Sequence, residues 1–196
     1  MLLNDLQIHR LCNHSDDPMI SPFTGYSVRE TDGRKRISYG LSSFGYDICL
    51  GDSPLIIFPD SHDPLDVKNP TTLAGGVELP PERTDRDTYF VIPPKTKALG
   101  VSLERFCMPR DVTALAVGKS TYARMGLNTL VTPLEAGWKG YLTIEIFNLE
   151  NRPNIVYANE GITQLVFLQG DAPMVSYADR AGKYQDQGNR PTLPIA

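Results

Sequence analysis

Hydrophobic and polar positions alternate with a period of two over much of the chain, and that rhythm predicts strands. The clearest run is 141–148, where Leu142, Ile144 and Ile146 fall on one face and Thr143, Glu145 and Phe147 on the other. ISYGLSSFGYDICLG (37–51) is small, aromatic and β-branched, with glycines where tight turns or bulges belong. SPLIIF (53–58) and PLDV (64–67) read as further strands, and TYFVIPPKTKALGVSLERFCMP (88–109) as two strands split by Pro93-Pro94. VTALAVG (112–118) is a compact apolar strand, and residues 150–170 read as turn, strand, turn, strand. Leu2, Leu3, Leu6 and Leu11 recur at near-helical spacing, so residues 2–11 are expected as a short amphipathic helix. Residues 13–34, with Asp16-Asp17-Pro18, Pro22, Gly25 and Asp32-Gly33, read as a loop. Residues 68–88 read as a surface excursion, and 176–196 as a polar tail with Lys183, Tyr184 and Gln187 as its reactive-looking members. The expectation is a mainly β chain with few helices, organised as a single domain over 1–196.

Composition narrows the setting. A chain of 196 residues with 41% hydrophobic and 21% charged positions has the length and apolar content to bury a core. Its net charge of −4 offers no general attraction to nucleic acid or to an anionic membrane, so any anion must be held by a local basic cluster. Cys12, Cys49 and Cys107 are odd in number and far apart, which points to a reducing compartment rather than a disulfide framework. The opening MLLNDLQIHR meets an acid at Asp5 before any long apolar run, so neither a signal peptide nor a membrane span is expected. A cytoplasmic location is the resulting expectation.

The chemistry concentrates between Gly118 and Asn148. GKSTYARMG (118–126) packs Lys119, Ser120, Thr121 and Arg124 between two glycines. A short helical turn beginning near Ser120 leaves backbone N–H groups unpaired beside hydroxyls, which suits an anion. Ser120 and Arg124 are four residues apart and share one face of such a turn. Arg124 can grip phosphate with two parallel hydrogen bonds, and Lys119 with a point charge. One hairpin later, Glu145 stands on the alternating strand. On pattern alone, each of these charged residues also reads as an ordinary surface group, and Tyr177 and Lys183-Tyr184 as parts of an exposed tail.

Several chemistries fit poorly. AVGKST resembles a nucleotide-triphosphatase phosphate loop, but that motif needs a glycine where Thr113 stands and a long helix where Gly126 intervenes. His9, His14 and His62 precede no His-x-Glu arrangement and no two cysteines are close in sequence, so a zinc site is not expected. No serine occupies a Gly-x-Ser-x-Gly elbow.

Together, GKSTYARMG, VTPLEAGWKG (131–140), TIEIFN (143–148), YANEGITQLVFLQ (157–169) and SYADRAGKYQDQG (176–188) resemble the dCTP deaminases of the dUTPase-like superfamily. The resemblance covers roughly residues 36–192. It implies a dUTPase-like distorted β-barrel or jelly roll (a β-clip), with a short N-terminal helix and a short helix after the phosphate-binding turn. It also implies a homotrimer with active sites between subunits, binding a deoxynucleoside triphosphate with Mg²⁺ on its phosphates. The reaction implied is zinc-independent hydrolysis of dCTP to dUTP and ammonia, supplying dUTP towards dUMP and thymidylate. Carried over by position, Lys119, Ser120, Thr121, Tyr122, Ala123 and Arg124 hold phosphates and help order the water. Thr143 and Ile144 contact base or sugar, and Glu145 is the acid/base, in a partly desolvated pocket that raises its pKa. Gln164, Tyr177, Lys183 and Gln187 close over the triphosphate. Inhibition by dTTP is a further property of similar enzymes.

The chain departs from that pattern in places. Lys119 stands where many relatives carry arginine, and Glu135 where the dUTPases and bifunctional deaminases carry aspartate. The tail ends NRPTLPIA, without the glycine-rich motif and stacking phenylalanine of the dUTPases. A bifunctional deaminase that also cleaves dUTP, and a nucleotide-binding module without chemistry, are the alternatives.

Overall fold

The computed structural model describes residues 1–13, 17–58, 62–73 and 75–195, and it realises the alternation as antiparallel sheets around one core. The longest ladder joins β9 (Lys97–Cys107) to β12 (Lys139–Asn148). β11 (Leu127–Leu130) lies on the other edge of β12. β5 (Leu55–Ile57) and β1 (Ile20–Ser21) share the remaining edge of β9, and β6 (Val77–Leu79) follows β5. A second sheet runs β10 (Val112–Gly118), β14 (Gly161–Gln169), β4 (Gly45–Cys49), β3 (Arg34–Ser42) and β2 (Ser27–Thr31) in that spatial order. β13 (Asn154–Tyr157), β8 (Thr88–Ile92) and β7 (Glu82–Arg83) form a third, small sheet.

The core draws on both large sheets. Ile144 and Ile146 of β12 and Phe106 of β9 meet Tyr46 and Ile48 of β4 and Leu165 and Phe167 of β14, all almost wholly removed from water. Burial alternates residue by residue along β12, so its other face stays partly open for function.

A register shift between Tyr141 and Thr143 interrupts the β9–β12 ladder. The pairing passes from Tyr141↔Arg105 to Thr143↔Val101, so the extra residues bulge from β9. The Leu142 N–H at that point donates to Ser102 Oγ at 2.9 Å, and that hydroxyl donates to the Glu104 carbonyl at 2.6 Å. The Glu104 side chain turns inward, where both carboxyl oxygens accept from the Cys49 N–H at 3.0 and 3.2 Å, tying one sheet to the other. Burial pushes the Glu104 carboxyl up to about 8, against the pull of that backbone donor.

Three expectations need correction. The helix is α1 (Asp5–Asn13), later than 2–11, because Asn4 and Gln7 form a reciprocal capping box: Asn4 Oδ1 accepts from Gln7 N–H at 3.1 Å and Gln7 Oε1 from Asn4 N–H at 3.0 Å. The stretch 13–34 is no plain loop, since β1 and β2 lie in it and Asp32-Gly33, both at positive φ (53° and 71°), turns β2 into β3. Residues 14–16 of that stretch, His14 and Asp16 among them, lie outside the described residues. PLDV forms no strand; its Asp66 makes only an isolated bridge to Asn69, within an exposed segment. The excursion at 68–88 is exposed as expected but carries a 3-10 turn (Pro70–Leu73), β6 and β7. No helix among the described residues is long and apolar enough to cross a membrane.

Glu104 makes stability depend on pH. Its folded pKa of about 8 lies above the ordinary 4.5, so the folded state holds a proton that the unfolded chain releases. The stability it confers is complete below about 4.5 and is lost as pH rises to about 8. Glu104→Gln, which cannot ionise, is expected to gain stability relative to wild type across that window in urea titrations. A difference independent of pH would contradict the buried, protonated carboxyl.

Candidate active site

Glu145 and Thr143 project from the outward face of β12, beside Lys97 and Leu99 of β9. These four line a cavity of about 720 Å³. Its other walls are Val131–Glu135 and Trp138, from the hairpin between β11 and β12, and the tail from Tyr177 to Pro194. One carboxylate oxygen of Glu145, Oε2, is buried without a hydrogen-bond partner among the described residues. Burial pushes this carboxyl up from its ordinary range, while its own backbone N–H and the Lys97 charge pull it back. A native chain seldom leaves a buried oxygen unpaired, so this one marks a place for an external partner.

The tail lies here because β12 offers it an edge. β11 pairs only with residues 145–148, which leaves the start of β12 open. The tail fills that gap: Tyr141 N–H donates to the Gln187 carbonyl at 3.0 Å and Asp186 N–H to the Lys139 carbonyl at 2.9 Å. Gly140 sits between them at φ +139°, where a Cβ would stand 2.7 Å from Gln187 N, so glycine alone permits the approach. Trp138 Nε1 donates to the Tyr184 carbonyl at 2.7 Å, and Tyr184 N–H to the Tyr177 hydroxyl at 2.9 Å. Thr192 N–H donates to Thr143 Oγ1 at 3.0 Å. Arg180 pairs with Glu135 and lies 5.1 Å from the Tyr177 ring centroid.

The other expected residues are elsewhere in the chain. α2 (Ser120–Arg124) follows β10 as a single short turn whose N-cap, Lys119, supplies no side-chain cap. Ser120, Thr121, Ala123 and Arg124 are exposed on it. Tyr122 is buried, and its hydroxyl accepts from the Tyr157 N–H at 3.3 Å. Lys119 Nζ lies 2.6 Å from Asp47 Oδ2 in a largely buried ion pair. Gln164 donates to Ser42 Oγ at 3.2 Å, and the Ile144 side chain is in the core. The cavity therefore unites Thr143, Glu145, Tyr177, Lys183 and Gln187, while the remaining candidates do not line it.

Sequence reasoning passed over Lys97, Leu99, Trp138, Arg180 and Thr192, all of which line the cavity. A signal existed for three of them. Lys97 and Leu99 occupy alternate positions in a strand, with Ala98 between them fully buried, so they share the outward face. Trp138 is the chain's one tryptophan, set in a hairpin, a place where a large apolar ring usually covers something.

Comparison with known proteins bears on this geometry. Residues 2–170 match a family model described as dCTP deaminase-like. The chain is 47% identical over 171 residues to a dCTP deaminase of Helicobacter pylori strain P12, covering 86% of each protein. It is 43% identical over 187 residues to that of Pelagibacter ubique strain HTCC1062, covering 95% of each. Among solved structures it is similar in fold to 2'-deoxycytidine 5'-triphosphate deaminase from Agrobacterium tumefaciens, with TM-score 0.57 at 20% identity over 89% of this chain. The chain spans about half (49%) of the length of that protein.

The tail contacts predict that Tyr177→Phe, which removes only the acceptor for Tyr184 N–H, loosens this wall of the cavity. Local opening should become easier by about 1 kcal/mol. Limited trypsin digestion is expected to cut at Arg180 and Lys183 sooner than in wild type, with little change in Tm. Unchanged cleavage would mean that the hydroxyl does not anchor the tail.

Proposed function

The chain belongs to the dCTP deaminase-like family, and we propose that it hydrolyses dCTP to dUTP and ammonia, with Glu145 as the acid/base. The observation that carries this reading is the Glu145 carboxyl, which lines the cavity from β12 and keeps one buried oxygen without a hydrogen-bond partner among the described residues. In the proposed reaction, water attacks C4 of cytosine as N3 gains a proton, and the C4–N bond then breaks to release ammonia. Glu145 takes a proton from the water and passes it to N3. It then takes the proton of the new hydroxyl and delivers it to the departing amino group, so one carboxyl serves each step. Desolvation makes it a stronger base than a carboxylate in water.

The phosphate-binding part is proposed to come from a second copy of the chain in a homotrimer. Support comes from the separation of α2 from the cavity within one chain, with Ser120 and Arg124 exposed on it. In that arrangement Arg124 grips phosphate, and Ser120 and Arg124 orient the water and steady developing charge. Lys119 reaches phosphate only by giving up its ion pair with Asp47. Thr143 and the backbone at Ile144 face the base or sugar, and Tyr177, Lys183 and Gln187 close over the nucleotide from the tail. Mg²⁺ enters with the substrate, on the triphosphate. A zinc-independent reaction is part of the proposal, and no three His, Cys, Asp or Glu side chains are gathered into a metal site among the described residues. A cytoplasmic setting, and dTTP as an inhibitor at the same site, belong to the same reading.

Glu145→Gln is expected to bind dCTP as wild type does while losing turnover by about a hundred- to ten-thousandfold. Calorimetry measures the binding, and ammonia release with chromatography of the nucleotides measures the reaction. Full turnover in the variant would remove Glu145 from its role. Wild-type enzyme that yields dUMP and pyrophosphate from dCTP would show a second, phosphate-cleaving activity.

A further inference from the structure

Lys97 is a charged residue of the cavity to which the proposed reaction gives no task. In the β9–β12 ladder Glu145 pairs with Leu99 and Phe147 with Lys97, so Lys97 is the diagonal neighbour of Glu145 on the same face. Its ammonium sits 4.6 Å from the centroid of the Phe58 ring, just beyond β5, a seat that holds a cation without neutralising it. The other charged or titratable groups lining the cavity are already engaged. Arg180 pairs with Glu135, Lys183 Nζ donates to the Ile195 carbonyl at 3.3 Å, the Tyr177 hydroxyl accepts from Tyr184 N–H, and the Tyr184 hydroxyl accepts from Ile195 N–H at 3.2 Å.

We propose that Lys97 is a positioning residue of the deamination: seated on the Phe58 ring, on the neighbouring strand and the same cavity face as Glu145, its ammonium keeps that carboxyl ionised, ready to take a proton from water. The inference rests on Glu145 being the acid/base. A carboxyl raised too far by burial is already protonated at neutral pH and accepts nothing, whereas one not raised at all is a poor base. Burial supplies the upward push on Glu145, and Lys97 supplies the opposing charge. The unpaired oxygen is thereby left free for water, because a charge at diagonal range restrains the carboxyl without occupying its lone pairs.

The test compares pH profiles of kcat/KM for dCTP in wild type, Lys97→Met and Lys97→Arg, with Glu145→Gln as reference. Removing the ammonium raises the carboxyl pKa, so the acid limb of Lys97→Met should move to higher pH. The loss of activity should be greatest at acid pH and shrink towards alkaline pH, and Lys97→Arg should move the limb back. Phe58→Leu, which keeps Lys97 and removes its seat, should shift the limb in the same direction by less. A readout independent of turnover is the ¹³C resonance of the Glu145 carboxyl in δ-labelled protein, assigned by its loss in Glu145→Gln; its titration should move up in Lys97→Met. An unmoved limb and resonance, with Glu145→Gln inactive, would overturn the role of Lys97 alone. If Glu145→Gln stays active, the assignment of Glu145 falls instead.

Discussion

The β9–β12 ladder is the constraint on which the molecule depends. Side chains on a strand alternate, so a register that places Ile144 and Ile146 in the core must place Thr143 and Glu145 on the opposite face. A slip by one residue would expose both isoleucines and bury the carboxylate among apolar groups, so the energy that fixes the core also fixes the site. The bulge in β9 adds a second lock. Ser102 occupies the Leu142 N–H, and Glu104 reaches across to Cys49, so the ladder is pinned to the other sheet just before the site begins.

Three carboxyl groups with buried oxygens show how the chain separates structure from chemistry. Glu160 accepts from Ile37 N–H at 2.6 Å and from Arg36 at 2.8 Å, and Glu104 accepts from Cys49 N–H. Both are satisfied from within the protein. Glu145 Oε2 has no such partner among the described residues, although nearby backbone is well hydrogen-bonded. Leaving one acid unpaired costs folding energy, and it creates a group poised to exchange protons with something that enters the cavity.

One chain holds the pieces of the proposed site in two places. The acid, the hairpin and the tail enclose the cavity, while α2 presents Ser120 and Arg124 to the outside. The tail is no loose appendage, since Gly140, Trp138 and Thr143 each engage its backbone. Tyr177, Lys183 and Gln187 are brought to Glu145 by edge pairing that follows from the shortness of β11.

Local pattern was enough to read β9, β10, β12, β13 and β14, the short turn at Ser120–Arg124, and Glu145 on the outward face of its strand. Periodicity of two and the positions of Gly and Pro are properties of neighbouring residues, so they are written in the sequence itself. Local reading failed where partners are distant. β2 looked like loop because its Asp32-Gly33 turn sits among polar residues, and it is a strand only because β3 pairs with it. PLDV had strand-like composition but has no ladder to join. Lys119 read as a phosphate ligand or a surface charge, and its ion pair with Asp47, seventy-two positions away, could not be seen from the local sequence. The place of Lys97 beside Glu145 likewise depends on the β9–β12 register. Residue type and spacing determined which groups were available for chemistry. Tertiary structure decided which are buried, paired or left open, because burial and charge compensation depend on contacts that no stretch of sequence contains.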